Sequence, residues 1–236
     1  MKGYDYNSSS SSRDRSSLTK IAFYLGAASA LVLIIIGVRH LNDPVDFDRM
    51  FGIKVTLEGL FAFSGLYLID MVKGKRIRVK PKAFRPFEIN TLTRGIIIFG
   101  ILGLIQILIQ VPLKIKSGEM ALAIVFAAPS EELFFRGVMI SVTVEAAKIT
   151  RRGRSKKRVL LAISPIEIGG IVLSSLAFMS IHINYYDNPP LLAIVFLSGL
   201  VLGFAYWYWD DLTACIIAHF ILNSLIAYQT FWMVNV

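Results

Sequence analysis

Charged residues are scarce in this sequence, and this scarcity excludes an ordinary soluble protein. Asp, Glu, Lys and Arg make up 17% of the 236 residues, whereas 55% are hydrophobic and the mean hydropathy is +0.62. Such a composition is too apolar for an ordinary soluble domain. The only cysteine is Cys215, so a disulfide framework and a cysteine-based metal site are excluded as well. We expect the chain to lie in lipid.

Seven long apolar runs account for most of the chain. A hydrocarbon core about 30 Å thick requires roughly 20 apolar residues per helix. Backbone groups in lipid must be bonded internally, which favours helices for runs of this length, and the alternation typical of a β-barrel is missing. We therefore predict an all-α fold, a polytopic transmembrane bundle of seven or eight helices, over residues 19–38, 51–72, 95–113, 119–146, 159–183, 190–209 and 212–235.

The net charge of +9 is concentrated between the predicted helices. Lys and Arg cluster in 73–85 and 148–158 and also precede the first helix. The positive-inside rule places these segments, and hence the N-terminus, in the cytoplasm, so no nucleic-acid partner is implied. Binding of anionic headgroups or of a phosphorylated partner is the alternative. We predict a disordered tail for the serine-rich residues 1–18 and a single transmembrane domain for 19–236.

Ionisable residues inside the apolar runs are few. Each is a functional hypothesis, because a charge at this depth is costly unless it has a use. They occur in three segments, the first of which reads FAAPSEELFFRGV at 126–138. The candidate residues of the three segments are Glu131, Glu132, Arg136, His182, His219 and Asn223.

The two adjacent carboxylates are predicted to have different roles. Neighbours on a helix point about 100° apart, whereas residues four apart share a face. Glu132 and Arg136 can therefore form an ion pair. Glu131 has no such partner in its helix, so it is the candidate base that takes a proton from water, unless it only cross-links two helices. Pro129 is expected to kink this helix and open room for the water.

The histidines and the asparagine suit the charges that peptide hydrolysis creates. His219 and Asn223 are spaced four apart and can direct two donors at one point, as the oxyanion of a tetrahedral intermediate requires. An interhelical hydrogen-bond pair is the structural alternative for them. His182 follows Phe178 by four positions and could orient the water or share a proton with Glu131.

The order of these motifs resembles the CPBP family, which comprises CAAX proteases and bacteriocin-processing enzymes and includes the Ras-converting CAAX endopeptidase. The resemblance extends to the glycine-rich helix at 199–209 and covers residues 119–223 of the predicted domain, which is thereby identified as a protease domain. The motifs that carry it are Glu131-Glu132-x-x-x-Arg136, Phe178-x-x-x-His182 and His219-x-x-x-Asn223.

This resemblance implies an intramembrane endopeptidase that uses glutamate-activated water and needs no metal or other cofactor. Its substrate would be a peptide or protein, and in the eukaryotic members a prenylated protein loses its C-terminal tripeptide. The short chain looks more like a prokaryotic member in the plasma membrane. The implied roles are water activation by Glu131 with His182, an oxyanion hole of His219 with Asn223, and support from Glu132, Arg136 and Phe178.

Two other proteolytic mechanisms compete with this one. Two histidines and a glutamate could hold zinc, although the sequence has no His-Glu-x-x-His pair. Cys215, His219 and Asn223 share one helical face, which would suit a cysteine nucleophile, but side chains stacked on one helix seldom aim at a common atom.

A non-enzymatic membrane protein is the rival from another class. In a transporter, an immunity factor or a scaffold, the polar cluster would be a proton path or a structural cross-link. The apolar runs hold further polar residues that such a protein could use, but no inverted repeat supports transport. These further residues are Lys54, Glu58, Asp70, Gln106, Gln110 and Glu167.

Depth in the membrane is a difficulty for the predicted site. At about 1.5 Å per residue, Glu131 falls near the middle, His219 nearer the cytoplasm and His182 nearer the outside. Straight helices with the predicted ends would keep these side chains apart. Either the end of a helix is misplaced, which Pro165 would permit in the fifth run, or the helices tilt strongly.

Overall fold

The computed structural model describes residues 10–41, 46–72, 89–109, 117–150, 163–182 and 187–232. Every regular element in these residues is a helix, which confirms the predicted all-α class. α4, a π-helical segment and α5 follow one another without a break, so the described residues form seven continuous rods. The elements are α1 (Ser10–Leu41), α2 (Asp46–Val72), α3 (Ile89–Ile109), α4 (Gly118–Glu131), the π-helical segment (Glu132–Ile140), α5 (Ser141–Thr150), α6 (Pro165–Ser180), α7 (Pro189–Trp209) and α8 (Leu212–Trp232).

The bundle has an apolar surface and a charged interior, the reverse of a soluble protein. Tyr67 and Leu108 are 72% and 73% exposed, whereas Glu131 and Arg136 are each 1% exposed. An apolar exterior around buried charges is the arrangement expected in lipid, and it confirms the predicted helical membrane bundle. Four helices in the described residues are long and apolar enough to cross a membrane: Arg49–Ile69, Ile89–Ile109, Pro189–Trp209 and Leu212–Gln229.

The fifth rod begins later than the sequence predicts. α6 starts at Pro165, and the preceding Ser164 caps it: the Ser164 hydroxyl accepts from the N–H of Glu167, whose carboxylate accepts from the N–H of Ser164. A capping box of this kind fixes the first turn of a helix. The predicted start at residue 159 is therefore wrong.

Other predicted boundaries lie partly outside the described residues. α1 begins at Ser10, inside the segment 1–18 for which a tail is predicted. Residues 1–9, the basic segment 73–85 and residues 151–158 lie outside the described part of the chain. The orientation inferred from the basic segments stays a prediction.

Glycines allow α2 to pack closely on two sides. A Cβ at Gly52 would lie 2.8 Å from the backbone oxygen of Gly37 in α1, and a Cβ at Gly65 would lie 2.8 Å from Cβ of Leu133 in the π-helical segment. Small residues at helix contacts let backbones approach in membranes. The second contact brings α2 against the segment that begins with Glu132 and directly follows Glu131.

The helix type changes just after Pro129, where a kink is predicted. Proline lies inside α4 and has no N–H to donate. The N–H of Glu132 bonds to the carbonyls of Ala128 and Pro129, and the chain is π-helical from Glu132 to Ile140. Segments of this type are rare and occur frequently at functional sites.

A buried carboxylate at the start of α8 ties this helix to α3. Oδ2 of Asp211 accepts from the hydroxyl of Thr91 at 3.0 Å and pairs with Nη1 of Arg94 at 2.9 Å, while Oδ1 accepts from the N–H of Ala214 at 3.2 Å. Both oxygens thus have donors, and a carboxylate at a helix N-terminus is favourable.

Candidate active site

Glu131, at the end of α4, is the centre of the site. Its Oε1 lies 3.8 Å from Nε2 of His182, just after α6, and its Oε2 lies 3.6 Å from Nε2 of His219 in α8. All three residues are buried. The fold thus brings together three residues from three motifs, at separations beyond a direct hydrogen bond that a single water can bridge.

Glu132 and Arg136 support the site from the π-helical segment. Nη1 of Arg136 is 3.0 Å from Oε1 of Glu132, which is the predicted ion pair, and the same oxygen lies 2.9 Å from Nδ1 of His219. A carboxylate only accepts hydrogen bonds, so Nδ1 of His219 is the donor. Arg136 also donates to the carbonyl of Gly199 in α7. Glu132 therefore orients His219, and Arg136 balances the charge of Glu132.

Phe178 packs against both histidines and against Arg136. Its ring centroid lies 4.9 Å from that of His182 and 5.9 Å from that of His219, and the guanidinium carbon of Arg136 is 4.5 Å from it. The backbone oxygen of Phe178 lies 2.8 Å from Nδ1 of His182, which must donate to it. In the neutral ring, the Nε2 atom that faces Glu131 consequently carries a lone pair able to accept from water.

Asn223 has a partner outside this group. Its Nδ2 donates to the backbone oxygen of Ile124 at 2.8 Å, and Ile124 lies in α4, seven residues before Glu131. One of the two amide N–H groups is thereby engaged. His219 and Asn223 thus have different polar partners in this structure, and their convergence on one oxyanion stays a prediction.

Residues 115–225, which hold all of these side chains, match the family model described as Type II CAAX prenyl endopeptidase Rce1-like. This part of the chain is similar to the Rce1-like CAAX endopeptidase family. No curated protein and no solved structure matches the chain. The Rce1-like family is a family of proteases, and at the level of that family the match supports a CAAX-type intramembrane endopeptidase with a peptide or protein substrate, in a chain whose helices can cross a membrane.

Two residues of α2, outside the matched range, reach the Rce1-like site. Glu58 is 1% exposed and its Oε1 lies 2.6 Å from Nζ of Lys54. The hydroxyl of Ser130, the residue before Glu131, donates to the backbone oxygen of Glu58, and the charge of Glu58 acts on Glu131. The charge of Lys54 acts on both Glu131 and His182.

The sequence contains a signal for these two residues, although on its own it does not assign them to the site. Lys54 and Glu58 are spaced four apart inside an apolar run, the same spacing as the ion pair of the π-helical segment. Such a pair marks a helix face that must be buried against other polar groups. Which groups it meets depends on the packing of α2, which spacing alone does not reveal.

Buried carboxylate oxygens of the Rce1-like site have no hydrogen-bond partner. They include Oε1 of Glu131, Oε2 of Glu132 and Oε2 of Glu58. Buried polar atoms in proteins are normally bonded, and exceptions call for a functional reason. In a hydrolytic site the attacking water and the polar groups of the substrate supply such partners.

The predicted difference in depth between the site residues is wrong. A helix that started at 159 would carry His182 about 34 Å along its axis, whereas α6 starts at Pro165 and carries it about 25 Å. The later start of α6 therefore accounts for much of the predicted difference in depth between His182 and the other two residues. His182 and His219 therefore both reach Glu131.

The structure also bears on the rival mechanisms. Within the described ranges, no group of three or more His, Cys, Asp or Glu side chains is arranged to hold a metal ion. The thiol of Cys215 donates to the backbone oxygen of Leu202 at 3.7 Å, whereas Nδ1 of His219 bonds to Glu132. A cysteine nucleophile needs its base within hydrogen-bond reach, and these two side chains bond to different elements.

Proposed function

We propose that the chain is a glutamic intramembrane endopeptidase in which Glu131 activates the hydrolytic water. The observation that carries this proposal is the position of the Glu131 carboxylate, buried and 3.6 to 3.8 Å from the Nε2 atoms of two histidines on different helices. Glu132, the neighbouring carboxylate, is held by Arg136 and His219. Glu131 is thus the carboxylate that can accept a proton.

The water is bound between Glu131 and His182. Nε2 of His182 accepts one hydrogen bond from it, because Nδ1 is committed to the carbonyl of Phe178. As the water oxygen attacks the carbonyl carbon of the scissile peptide, its second proton passes to Glu131. When the carbon–nitrogen bond breaks, Glu131 returns this proton to the leaving amine.

His219 and Asn223 stabilise the oxyanion of the tetrahedral intermediate. Since Nδ1 of His219 donates to Glu132, Nε2 donates to the oxyanion from the doubly protonated ring. Asn223 contributes its second amide N–H. Donors aimed at a developing oxyanion are usually the largest electrostatic contribution in acyl transfer.

The substrate is a C-terminal peptide of a membrane-associated protein, prenylated in the CAAX manner or otherwise anchored. A lipid tail can enter the bundle laterally from the bilayer, which places the scissile bond at the depth of Glu131. We further propose that residues 19–236 form one protease domain in a prokaryotic plasma membrane, with the N-terminus in the cytoplasm.

Cleavage of a panel of C-terminal peptides, each with and without a prenyl group, tests this proposal. Purified full-length protein is compared with Glu131→Ala, and products are identified by mass spectrometry. We expect the unmodified protein to cleave at least one peptide and the variant to cleave none. Equal cleavage by the variant would sink the glutamate mechanism.

Treatment with a chelator tests the alternative of a zinc protease. The two histidines and Glu131 are the residue types that zinc binds. We expect cleavage to continue after prolonged treatment with a strong chelator. Loss of activity that returns on addition of zinc would favour the metal mechanism, and no cleavage of any peptide would favour a non-enzymatic membrane protein.

A further inference from the structure

A row of buried residues in steps of four runs along α6 and ends at the site. Residues four apart on a helix form a ridge that packs against its neighbours. At the start of the row, a Cβ at Gly170 would overlap the side chain of Thr143 in α5. The ridge thus lies against the same continuous rod that carries Glu131. Its members are Gly170, Ser174, Phe178 and His182, the last of which directly follows α6.

Ser174 joins this ridge to the π-helical segment by a hydrogen bond. Its side chain is 2% exposed, and its hydroxyl donates to the backbone oxygen of Phe135 at 2.9 Å. One turn further along α6, the ring of Phe178 meets the ring of Phe135, with 5.4 Å between the centroids. Apolar contacts have no preferred direction, whereas a hydrogen bond weakens steeply when its angle changes. The Ser174 bond therefore fixes how far α6 is rotated and shifted against the π-helical segment.

The ring of His182 is tied to the end of α6. The N–H of His182 bonds to the backbone oxygen of Met179 at 3.0 Å, and its Nδ1 donates to the backbone oxygen of Phe178 at 2.8 Å. The ring must consequently move with the helix. Its Nε2 lies 3.8 Å from Oε1 of Glu131, and in such a gap an error of 1 Å can cost about 10²-fold in rate.

We propose that Ser174 is a positioning residue, which holds α6 so that Nε2 of His182 faces Glu131 across the space of one water. Ser174 lies eight residues before His182, about 12 Å along the helix axis. Its hydroxyl is buried between two helices and bonded to one of them, so it acts on the reaction only through His182. The catalytic effect rests on the proposed function, whereas the effect on the position of His182 does not.

The adjacent serine provides a matched control. Ser175 is 1% exposed, and its hydroxyl donates to the backbone oxygen of Ile171, within α6 itself, at 2.8 Å. Neighbours on a helix point about 100° apart, and Ser175 lies against Gly199 of α7. Ser174→Ala and Ser175→Ala remove the same atom from the same turn of α6. They differ in whether the lost hydrogen bond joins two elements.

Nuclear magnetic resonance of the histidine rings tests the positioning without any substrate. The sequence contains three histidines, so full-length protein labelled at the ring nitrogens gives a simple spectrum in detergent. His182→Ala identifies the signals of His182. We expect the Nε2 signal of His182 to move in Ser174→Ala, because the ring leaves its place beside Glu131, and to stay unchanged in Ser175→Ala.

The comparison of the two serine variants decides the proposal. An unchanged His182 signal in Ser174→Ala overturns it, and so do shifts of equal size in both variants. Should Ser174→Ala fail to fold, Ser174→Cys makes the same test, because a thiol is only a weak donor. A His182 signal that moves in Ser174→Cys supports the proposal, and an unchanged signal contradicts it.

Cleavage kinetics test the catalytic consequence. We expect Ser174→Ala to lower kcat on the order of 10-fold, less than a displacement of 1 Å can cost. KM should stay unchanged, since Ser174 does not contact the substrate, and Ser175→Ala should match the unmodified protein. A rise in KM with unchanged kcat would contradict the assigned role.

A double-variant cycle shows whether Ser174 acts through His182. Two residues that act through one interaction give effects that do not add. Adding Ser174→Ala to His182→Ala should therefore cause no further loss of kcat, whereas a further 10-fold loss would overturn the proposal. If no peptide is cleaved by the unmodified protein but the His182 signal behaves as expected, the positioning stands and the proposed function fails.

Discussion

Two buried carboxylates of this bundle, Asp211 and Glu131, have opposite surroundings. Asp211 accepts from Thr91 and from a backbone N–H and pairs with Arg94, so that both of its oxygens have donors. Glu131 lies beside another carboxyl group, and its two histidine neighbours lie at 3.6 and 3.8 Å, beyond a hydrogen bond.

The difference separates a carboxylate that stabilises the fold, Asp211, from one that is available for a reaction, Glu131. Asp211 stabilises the start of α8 and its contact with α3, and a satisfied group of this kind has nothing left to offer a substrate. Glu131, by contrast, is buried where the protein does not supply all of its hydrogen-bond partners. Residues held in this way cluster at active sites, where substrate and water complete the set of partners.

The largest expected effect is the loss of activity in Glu131→Gln. An amide cannot take a proton from water, so kcat should fall on the order of 10³-fold. The thermal midpoint in detergent should not fall, because glutamine fills the same space and removes a buried carboxylate whose Oε1 has no hydrogen-bond partner. Activity assays and thermal melts on the same preparation check both parts. A variant that stays active, or that unfolds at a much lower temperature, would show that Glu131 is a structural carboxylate like Asp211.

A histidine that bonds to a glutamate in the site and one that does so elsewhere provide the next comparison. His219 bonds to Glu132 in the site, whereas Nε2 of His40, at the end of α1, lies 3.0 Å from Oε2 of Glu119 in the first turn of α4. Removal of one oxyanion donor costs about 10²- to 10³-fold in kcat, so His219→Ala should show a loss of this size and His40→Ala none. Similar losses in both variants would indicate that histidine removal acts through stability.

The fold class follows from the sequence because the physics of lipid leaves few choices. Runs of about 20 apolar residues must be helical in a bilayer, and the structure has seven rods where seven runs are predicted. The start of α6 does not follow from hydropathy because its signal, Ser164 with Glu167, is local and lies inside a run that is otherwise mostly apolar. A hydropathy profile does not detect the residues that cap a helix.

The site is predictable where its contacts lie within one helix. The ion pair of Glu132 with Arg136 follows from spacing alone, and it is present. The bonds from His219 to Glu132 and from Ser130 to the backbone of Glu58 join different helices. They depend on close packing at glycines and on the π-helical segment, and neither spacing nor hydropathy contains this information.

Asp211→Asn should reduce stability and leave the chemistry intact. It leaves Arg94 without its ion-pair partner, and loss of one member of a buried pair is strongly destabilising. Because the Arg94 side chain is 24% exposed, we expect about 2 kcal/mol, less than for a fully buried pair. Thermal melts in detergent measure the loss, and kcat per folded molecule should stay unchanged. A large fall in kcat with unchanged stability would place Asp211 among the catalytic groups.

The smallest expected effect concerns the packing that brings α2 to the site. A Cβ at Gly65 would lie 2.8 Å from Cβ and 2.9 Å from the carbonyl carbon of Leu133, so Gly65→Ala forces the π-helical segment away from α2. We expect a loss of about 1 kcal/mol, at the low end for overpacking. Gly100→Ala in α3 is the matched control, because a Cβ there meets no atom within 4 Å, and alanine should be neutral or stabilise the helix by up to about 1 kcal/mol. Thermal melts of the two variants compare them directly. If the Gly65 variant is as stable as the Gly100 variant, the approach of α2 to the π-helical segment does not depend on glycine, and the bond from Ser130 to the backbone of Glu58 needs another support.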